Sequence, residues 1–184
     1  IISSTGRRIQ RLEDFHGLRV RCAQNPVAQA LFKRLGATAH PAPLQAIPEL
    51  TESNRIDAAE STWPRYRDMG HHLVQPAVND TAHSLFLTTL VINEQFFQSL
   101  HPSHRHILQA AALDTARLER DRSVRDGEHA RQLHLAEGQP VTELDLAERL
   151  RMMDLVLPLH DEFAPRFGQS LIDRIKARAQ ALAS

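Results

Sequence analysis

Between Leu18 and Ile92 short apolar runs alternate with helix-length segments, punctuated by Pro and Gly, which is the pattern of an α/β layer. Beyond Pro102 nearly every stretch reads as helix. Leu12-Glu13-Asp14-Phe15 has the look of a single helical turn, ended by Gly17, that delivers the chain into a strand, Leu18-Arg19-Val20-Arg21-Cys22. Alternation puts Leu18, Val20 and Cys22 on one face of this strand and Arg19 and Arg21 on the other. Asn25 is placed to cap a helix with Pro26 at its first position, and Ala28, Leu31, Phe32 and Leu35 form its buried stripe up to Gly36. Further strands are predicted at 38–41, 56–61, 73–77 and 85–92, with a helix at 45–53, a left-handed cap at Asn54 and a loop or helix at 62–66.

Asn93 should cap a short turn through Phe97. Pro102 opens a proline-free stretch that would reach about 50 Å as one unbroken helix. Its apolar stripe, Ile107, Ala111 and Leu118, is narrow and gives way to the strongly charged 119–131, so it reads as a strut between two bodies. A last short strand at Val141-Thr142 precedes helices at 144–157 and 170–183, with Pro158 kinking or splitting the first and Gly168 ending its continuation. The expected organisation is an α/β core over 1–85, a crossing strand and long helix over 86–138, and a helical segment over 139–184.

Composition narrows the partners. Lys plus Arg and Asp plus Glu both number 22 in the 184 residues, so the balanced charge gives no reason to expect nonspecific attraction to nucleic acid or an anionic membrane. Hydrophobic residues at 42% and charged residues at 24% describe a globular chain. No apolar run is long enough to predict a membrane span. Cys22 is the single cysteine and forms no intrachain disulfide. The first residues lack both an initiator Met and a signal-peptide pattern, so the chain reads as starting mid-protein.

Common catalytic signatures are absent: there is no G-x-S-x-G, H-E-x-x-H, paired C-x-x-C or Gly-rich phosphate loop. The densest histidine groups, His71-His72 and His101, His104, His106, offer no i, i+4 pair with a nearby carboxylate. They read as solvated or capping histidines, with no metal and no cofactor expected. Cys22 beside Arg21 is either a nucleophile or a small buried apolar residue; the alternation favours burial. Arg21 carries more information, because the carboxyl end of a strand, ahead of a loop and a helix, is where α/β proteins place anionic ligands. Its planar fork can hold a carboxylate through two parallel hydrogen bonds. The competing readings are a salt bridge to Asp57 or Glu60 and a solvated edge arginine. Glu60-Ser61-Thr62-Trp63 ends another strand and either lines a polar pocket or is a loop with one packed Trp.

Leu12-Glu13-Asp14-Phe15-His16-Gly17-Leu18-Arg19-Val20-Arg21 resembles the P-E-D-L-K-G-L-K-I-R element of the solute-binding proteins of TRAP transporters, the DctP-type extracytoplasmic receptors. Phe32-Lys33-Arg34-Leu35-Gly36-Ala37 is similar to F-K-A-L-G-A, and Ile56-Asp57-Ala58-Ala59-Glu60-Ser61 to V-D-G-Q-E-N. His83-Ser84, Val91-Ile92-Asn93, Leu100 and Leu157-Pro158 through Phe163 follow in the family's order, so the resemblance covers almost the whole chain. It implies a periplasmic-binding-protein-like second lobe of α/β class, with crossing strands, a long spanning helix and C-terminal helices. It also implies a periplasmic receptor that closes on a small organic acid and delivers it to TRAP membrane permease subunits, and not an enzyme. Arg21 takes the place of the arginine that grips the carboxylate. Ser61 stands where the family has a ligand-contacting Asn, and Leu44 where a pocket aromatic is frequent; Glu60 and Trp63 join them in the expected ligand-binding set. Ala58, Ala59 and Cys22 are further departures from the pattern. The alternatives are a ligand-sensing module that reports to a signalling partner, and a small hydrolase built on Cys22, a histidine and an acid.

Overall fold

The computed structural model describes residues 1–183. Six short strands, β1 (Ile2–Ser4), β2 (Arg19–Cys22), β3 (Thr38–Pro41), β4 (Ala58–Glu60), β5 (Ala77–Asp80) and β6 (Val141–Glu143), form one sheet in the order β3-β2-β4-β1-β5-β6. Strand β2 runs parallel to β3 and β4, β5 runs parallel to β6, and β1 is antiparallel to both of its neighbours. Successive residues of β4 point to opposite faces, so Ala58 joins a cluster with Phe15, Leu18, Val20, Cys22, Phe32 and Leu35, while Ala59 joins one with Ala42, Ile47, Leu50 and Ile56. This is the α/β class expected from the alternating pattern.

The helices around the first strands start and stop for local reasons. In α1 (Pro26–Arg34) the Asn25 side chain accepts the Ala28 N–H at 2.8 Å, and the missing N–H of Pro26 is one that would have had no helical partner. Gly36 follows with φ +89°, and the His16 ring occupies the space a Cβ would need, so only glycine fits there. Asn54 takes the left-handed cap (φ 54°) after α2 (Ile47–Glu52), and the Thr62 hydroxyl caps α3 (Trp63–Asp68) by accepting the Arg65 N–H.

One strand was not expected, and two strand expectations change. Strand β1 carries no alternation signal, because Ser3 and Ser4 are buried polar residues; the Ser3 hydroxyl is satisfied by Gln75 Oε1 at 2.7 Å. The strand predicted at 73–77 is displaced: residues His71–Leu73 form a 3-10 turn after left-handed Gly70, and pairing starts at Ala77, opposite Ser4. Pairing with β1, rather than local apolarity, sets that boundary. Residues 85–92 form no sheet pairing, and Leu85, Leu87, Leu90 and Val91 stay exposed. β-propensity favours an extended chain, but a strand needs a neighbour, and none of the described residues provides one.

After α4 (Glu94–Ser99), α5 (Pro102–Ala136) is one unbroken helix of 35 residues, continuous through Gly127. His101 caps it, as a locally capping histidine should. Ile107, Leu113, Leu118 and Val124 are exposed along its length, and it is seated on the lobe mainly near its end, against α3. The seat is aromatic: the His134 ring lies edge-on to Trp63 (5.4 Å between centroids) and Tyr66 (5.6 Å). An Arg67–Glu137 pair, 2.6 Å on each arm, clamps its rim. Then α6 (Leu146–Val156), α7 (Leu159–Phe167) and α8 (Gln169–Ala183) follow, split at Pro158 and Gly168 as the sequence suggests; α6 and α7 lie against α1.

Asn79 is the buried polar joint of the sheet. Its Oδ1 accepts the Ile9 N–H at 2.7 Å, and its amide donates to the Ile2 and Arg7 carbonyls at 3.2 and 3.1 Å. Asn79→Ala strands these main-chain groups and should cost about 3 kcal/mol in urea unfolding, whereas a loss under 1 kcal/mol would deny the joint its role. Burial is also the leading cause holding the pKa values of His71, His83 and His134 below the usual histidine range, so the folded protein keeps these rings neutral. Folded pKa values below the unfolded value near 6.5 mean stability that is full above that pH and lost as the pH falls below it. The urea midpoint should therefore fall between pH 7.5 and pH 5, and fall less steeply in His134→Gln; a flat profile in the native protein would contradict this.

Candidate carboxylate-binding site

Because β2 and β4 are parallel neighbours, their carboxyl ends open on the same edge of the sheet: Arg21 lies beside Ala59, and the chain leaves β4 through Glu60 and Ser61. The Arg21 side chain stands on the face opposite Val20 and Cys22, as the alternation predicts. The residue is only 5% exposed. Its Nε donates to the Ala42 carbonyl at 2.7 Å and its Nη1 to the Glu60 carbonyl at 3.2 Å. Nη2 has no hydrogen-bond partner among the described residues. Two main-chain oxygens thus fix the plane of the guanidinium and leave one nitrogen free.

The competing salt bridge is not formed. Asp57 is taken by Arg19, with Nη2 to Oδ1 at 2.6 Å and Nε to Oδ2 at 2.9 Å. Glu60 is held elsewhere: Oε1 accepts the Ala23 N–H at 2.5 Å, and Oε2 lies 3.4 Å from His83 Nε2. Burial works against the Glu60 charge, but the bonds from His83 and Ala23 outweigh it and keep the carboxyl below its usual range. The His83 ring is fixed in turn by Thr81 Oγ1, 2.6 Å from Nδ1, and lies edge-on to Phe32. Burial lowers the pKa of Arg21, with Glu60 opposing the shift; even so, a guanidinium keeps its proton at neutral pH.

Ser61 is buried; its main chain pairs with Ile1, and its Oγ has no partner. Leu44 opens a 3-10 turn and packs with the cluster of Ala42, Ile47 and Ala59, on Arg21's face of the sheet. Trp63 has ring contacts with Tyr66 and His134, on the side facing α5. Arg21, Glu60, Ser61 and the Leu44 turn therefore share one end of the sheet, while the contacts of Trp63 serve the seat of the long helix. One neighbour was missed by sequence reasoning. His71, expected to be solvated or capping, is buried with its Nδ1 unpartnered among the described residues, and burial first and the Arg21 charge after it hold its pKa below the usual histidine range. Histidine doublets in loops carry no burial signal, so nothing local marks it.

The thiol of Cys22 is buried among core side chains, and burial pushes its pKa up to about 11, so it is no nucleophile at neutral pH. Among the described residues no group of three or more His, Cys, Asp or Glu is placed to hold a metal ion. A cavity of about 260 Å³ between α1 and α6 reaches His83 and Arg149 but includes neither Arg21 nor Ser61.

Comparison with known proteins gives the family. Residues 1–166 match bacterial extracellular solute-binding protein family 7, DctP. The C4-dicarboxylate-binding protein DctB of Bacillus subtilis is 25% identical over 161 residues, covering 87% of this chain and 46% of that protein. A TRAP periplasmic solute-binding protein from Xanthobacter autotrophicus, solved with bound β-D-galacturonate, superposes with a TM-score of 0.84 at 27% identity, over 96% of this chain and 58% of that one. The ectoine-binding protein of Halomonas elongata shares the fold, with a TM-score of 0.88 at 22% identity, over 98% of this chain and 60% of that one. The chain spans about half the length of the curated relatives it matches. With nine-tenths of its residues inside the match, it belongs to the DctP family of bacterial extracellular solute-binding proteins.

Proposed function

We propose that the chain forms the arginine-bearing lobe of a periplasmic receptor that captures a small organic carboxylate for TRAP membrane permease subunits. The observation that carries this reading is the Arg21 guanidinium: buried, oriented by the Ala42 and Glu60 carbonyls, and bonded to no carboxylate among the described residues. A buried cation with no carboxylate bonded to it is costly, and an incoming carboxylate offsets that cost while bonding to the free Nη2. Relatives described as binding C4-dicarboxylates, sialic acid or galacturonate point to the same ligand class. In this reading the exposed apolar side chains of residues 85–92 and of α5 face a second lobe. The ligand sits between the two walls, and α5 spans them. Ser61 and Glu60 frame the carboxylate, Leu44 contributes an apolar wall, and Trp63 supports the site by fixing α3 against α5. No helix among the described residues is long and apolar enough to cross a membrane.

Titration of the chain with succinate and with D-galacturonate, followed by NMR, should show saturable binding of at least one acid. With a single wall the dissociation constant should be around a millimolar, about 4 kcal/mol of binding free energy. Arg21→Lys keeps the charge but loses the planar fork, and should weaken binding about tenfold. Equal affinity in that variant, with the fold intact by circular dichroism, would remove Arg21 as the anchor.

A further inference from the structure

The cavity between α1 and α6 holds a second guanidinium to which the carboxylate reading gives no role. It encloses about 260 Å³ and lies on the other side of the sheet from the Arg21 side chain, because Leu35 and Met152 of its wall belong to the cluster of Val20 and Cys22. Leu31 and Val156 add to that apolar wall, and no Asp or Glu side chain among the described residues lines it. Half-buried Arg149, on α6, also lines the cavity. Its Nε donates to the Leu144 carbonyl at 3.1 Å and its Nη2 to the Asp80 carbonyl at 3.2 Å. Nη1 has no hydrogen-bond partner, and no carboxylate of the described residues forms an ion pair with this arginine. The other ionisable side chain at the cavity, His83, has both ring nitrogens engaged, Nδ1 by Thr81 at 2.6 Å and Nε2 by Glu60 at 3.4 Å. It offers the cavity a ring surface and no spare polar atom.

We propose that this cavity is a second ligand site, separate from Arg21, for a small monocarboxylic acid with an apolar body: the carboxylate pairs with Arg149 and the body fills the space between Leu31, Leu35, Met152 and Val156. The size follows from the volume. An apolar cavity of about 150 Å³ holds benzene, so one of about 260 Å³ takes roughly ten non-hydrogen atoms. The charge follows from Arg149, whose guanidinium plane is held by two carbonyls and whose Nη1 is left to bond an anion. The remainder of the wall sets the rest of the chemistry. A second carboxylate, or the hydroxyls of a sugar acid, would meet apolar side chains and lose the hydrogen bonds they make in water. A flexible thioether wall at Met152 lets the space adapt to a branched or an aromatic body. Because Arg149 is partly open to solvent, its pairing with the acid is screened and adds selectivity for the anion more than tight binding. The inference does not depend on what Arg21 binds.

The test is a titration of the full chain at neutral pH with phenylacetate and with its neutral isostere phenylacetamide, read from the methyl NMR signals of Leu31, Met152 and Val156. Phenylacetate should shift these signals saturably with a dissociation constant around a millimolar. Phenylacetamide, which fits the same space without the charge, should bind about fivefold more weakly. Arg149→Gln should bring the acid down to the affinity of the amide, and Arg21→Lys should leave the acid's affinity unchanged. Val156→Trp fills the cavity from its rim and should abolish binding of phenylacetate. Three results would overturn the proposal: no saturable methyl shifts at tens of millimolar acid, equal affinity of the native chain for acid and amide, or binding that is lost in Arg21→Lys and displaced by succinate, which would put the acid at Arg21. If Val156→Trp fails to fold by circular dichroism, nuclear Overhauser contacts between the phenyl protons and the Leu31 and Met152 methyls of the native chain decide the location alone, and their absence in the saturated complex overturns it.

Discussion

A guanidinium held by two carbonyl oxygens and no carboxylate is the constraint around which this lobe is arranged. Arginine carries its charge at every pH the protein meets, so burying it needs compensation. Here compensation is partial: Ala42 and Glu60 lend the negative ends of their peptide dipoles, and the Asp57 and Glu60 carboxylates are bonded to other partners. Had Asp57 or Glu60 closed on Arg21, the pair would have been cheaper and the site would have had nothing left to offer an anion. Arg19, one residue away from Arg21's neighbour Val20 and on the same strand face, takes Asp57 and so frees Arg21.

The sheet topology makes that division possible. Parallel β2, β3 and β4 deliver three chain exits to one edge, so the Ala42 carbonyl, the Arg21 side chain and the Glu60 carbonyl converge without any long loop. Antiparallel β1 then closes β4 against β5, and the buried Asn79 side chain ties the approach to the first helical turn into the same sheet. Behind the sheet, Glu60, His83 and Thr81 form a fixed chain of hydrogen bonds that keeps the Glu60 side chain away from the guanidinium. The rigid part of the lobe thus sets the charge, and the long helix is attached at a separate place through Trp63, Tyr66 and His134.

What could be read from the sequence follows from how local each cause is. The two faces of Leu18 to Cys22 need only a period of two, and the helix at Pro26 needs only its cap, its proline and its glycine stop, so Arg21 and its setting were legible. The resemblance then supplied the order of the elements and the counterparts Ser61 and Leu44. Strand β1 and the start of β5 depend on each other's register, which no window of local sequence contains. Residues 85–92 have strand-like composition, but a strand is a relation between two segments and not a property of one. His71 was hidden for the same reason: its burial comes from elements distant in the chain.

Stability is spent unevenly across the lobe, and the pattern follows the site. Ser61 Oγ, His71 Nδ1, His72 Nδ1 and His134 Nδ1 are the buried side-chain atoms left without a partner among the described residues. All four lie on the stretch from Ser61 to His72 or on the part of α5 that meets it, and none lies in the core around Phe15, Val20 and Phe32. Each such group costs about 1–3 kcal/mol, so the region between the guanidinium and the long helix is the least satisfied part of an otherwise well-paired lobe. Local rules of packing and pairing fail most readily where function places demands on the same residues. In the proposed reading a receptor wall keeps polar groups ready for a ligand, and here such groups fall on the segment that meets α5. In that reading the segment lies between the carboxylate anchor at Arg21 and the seat of α5.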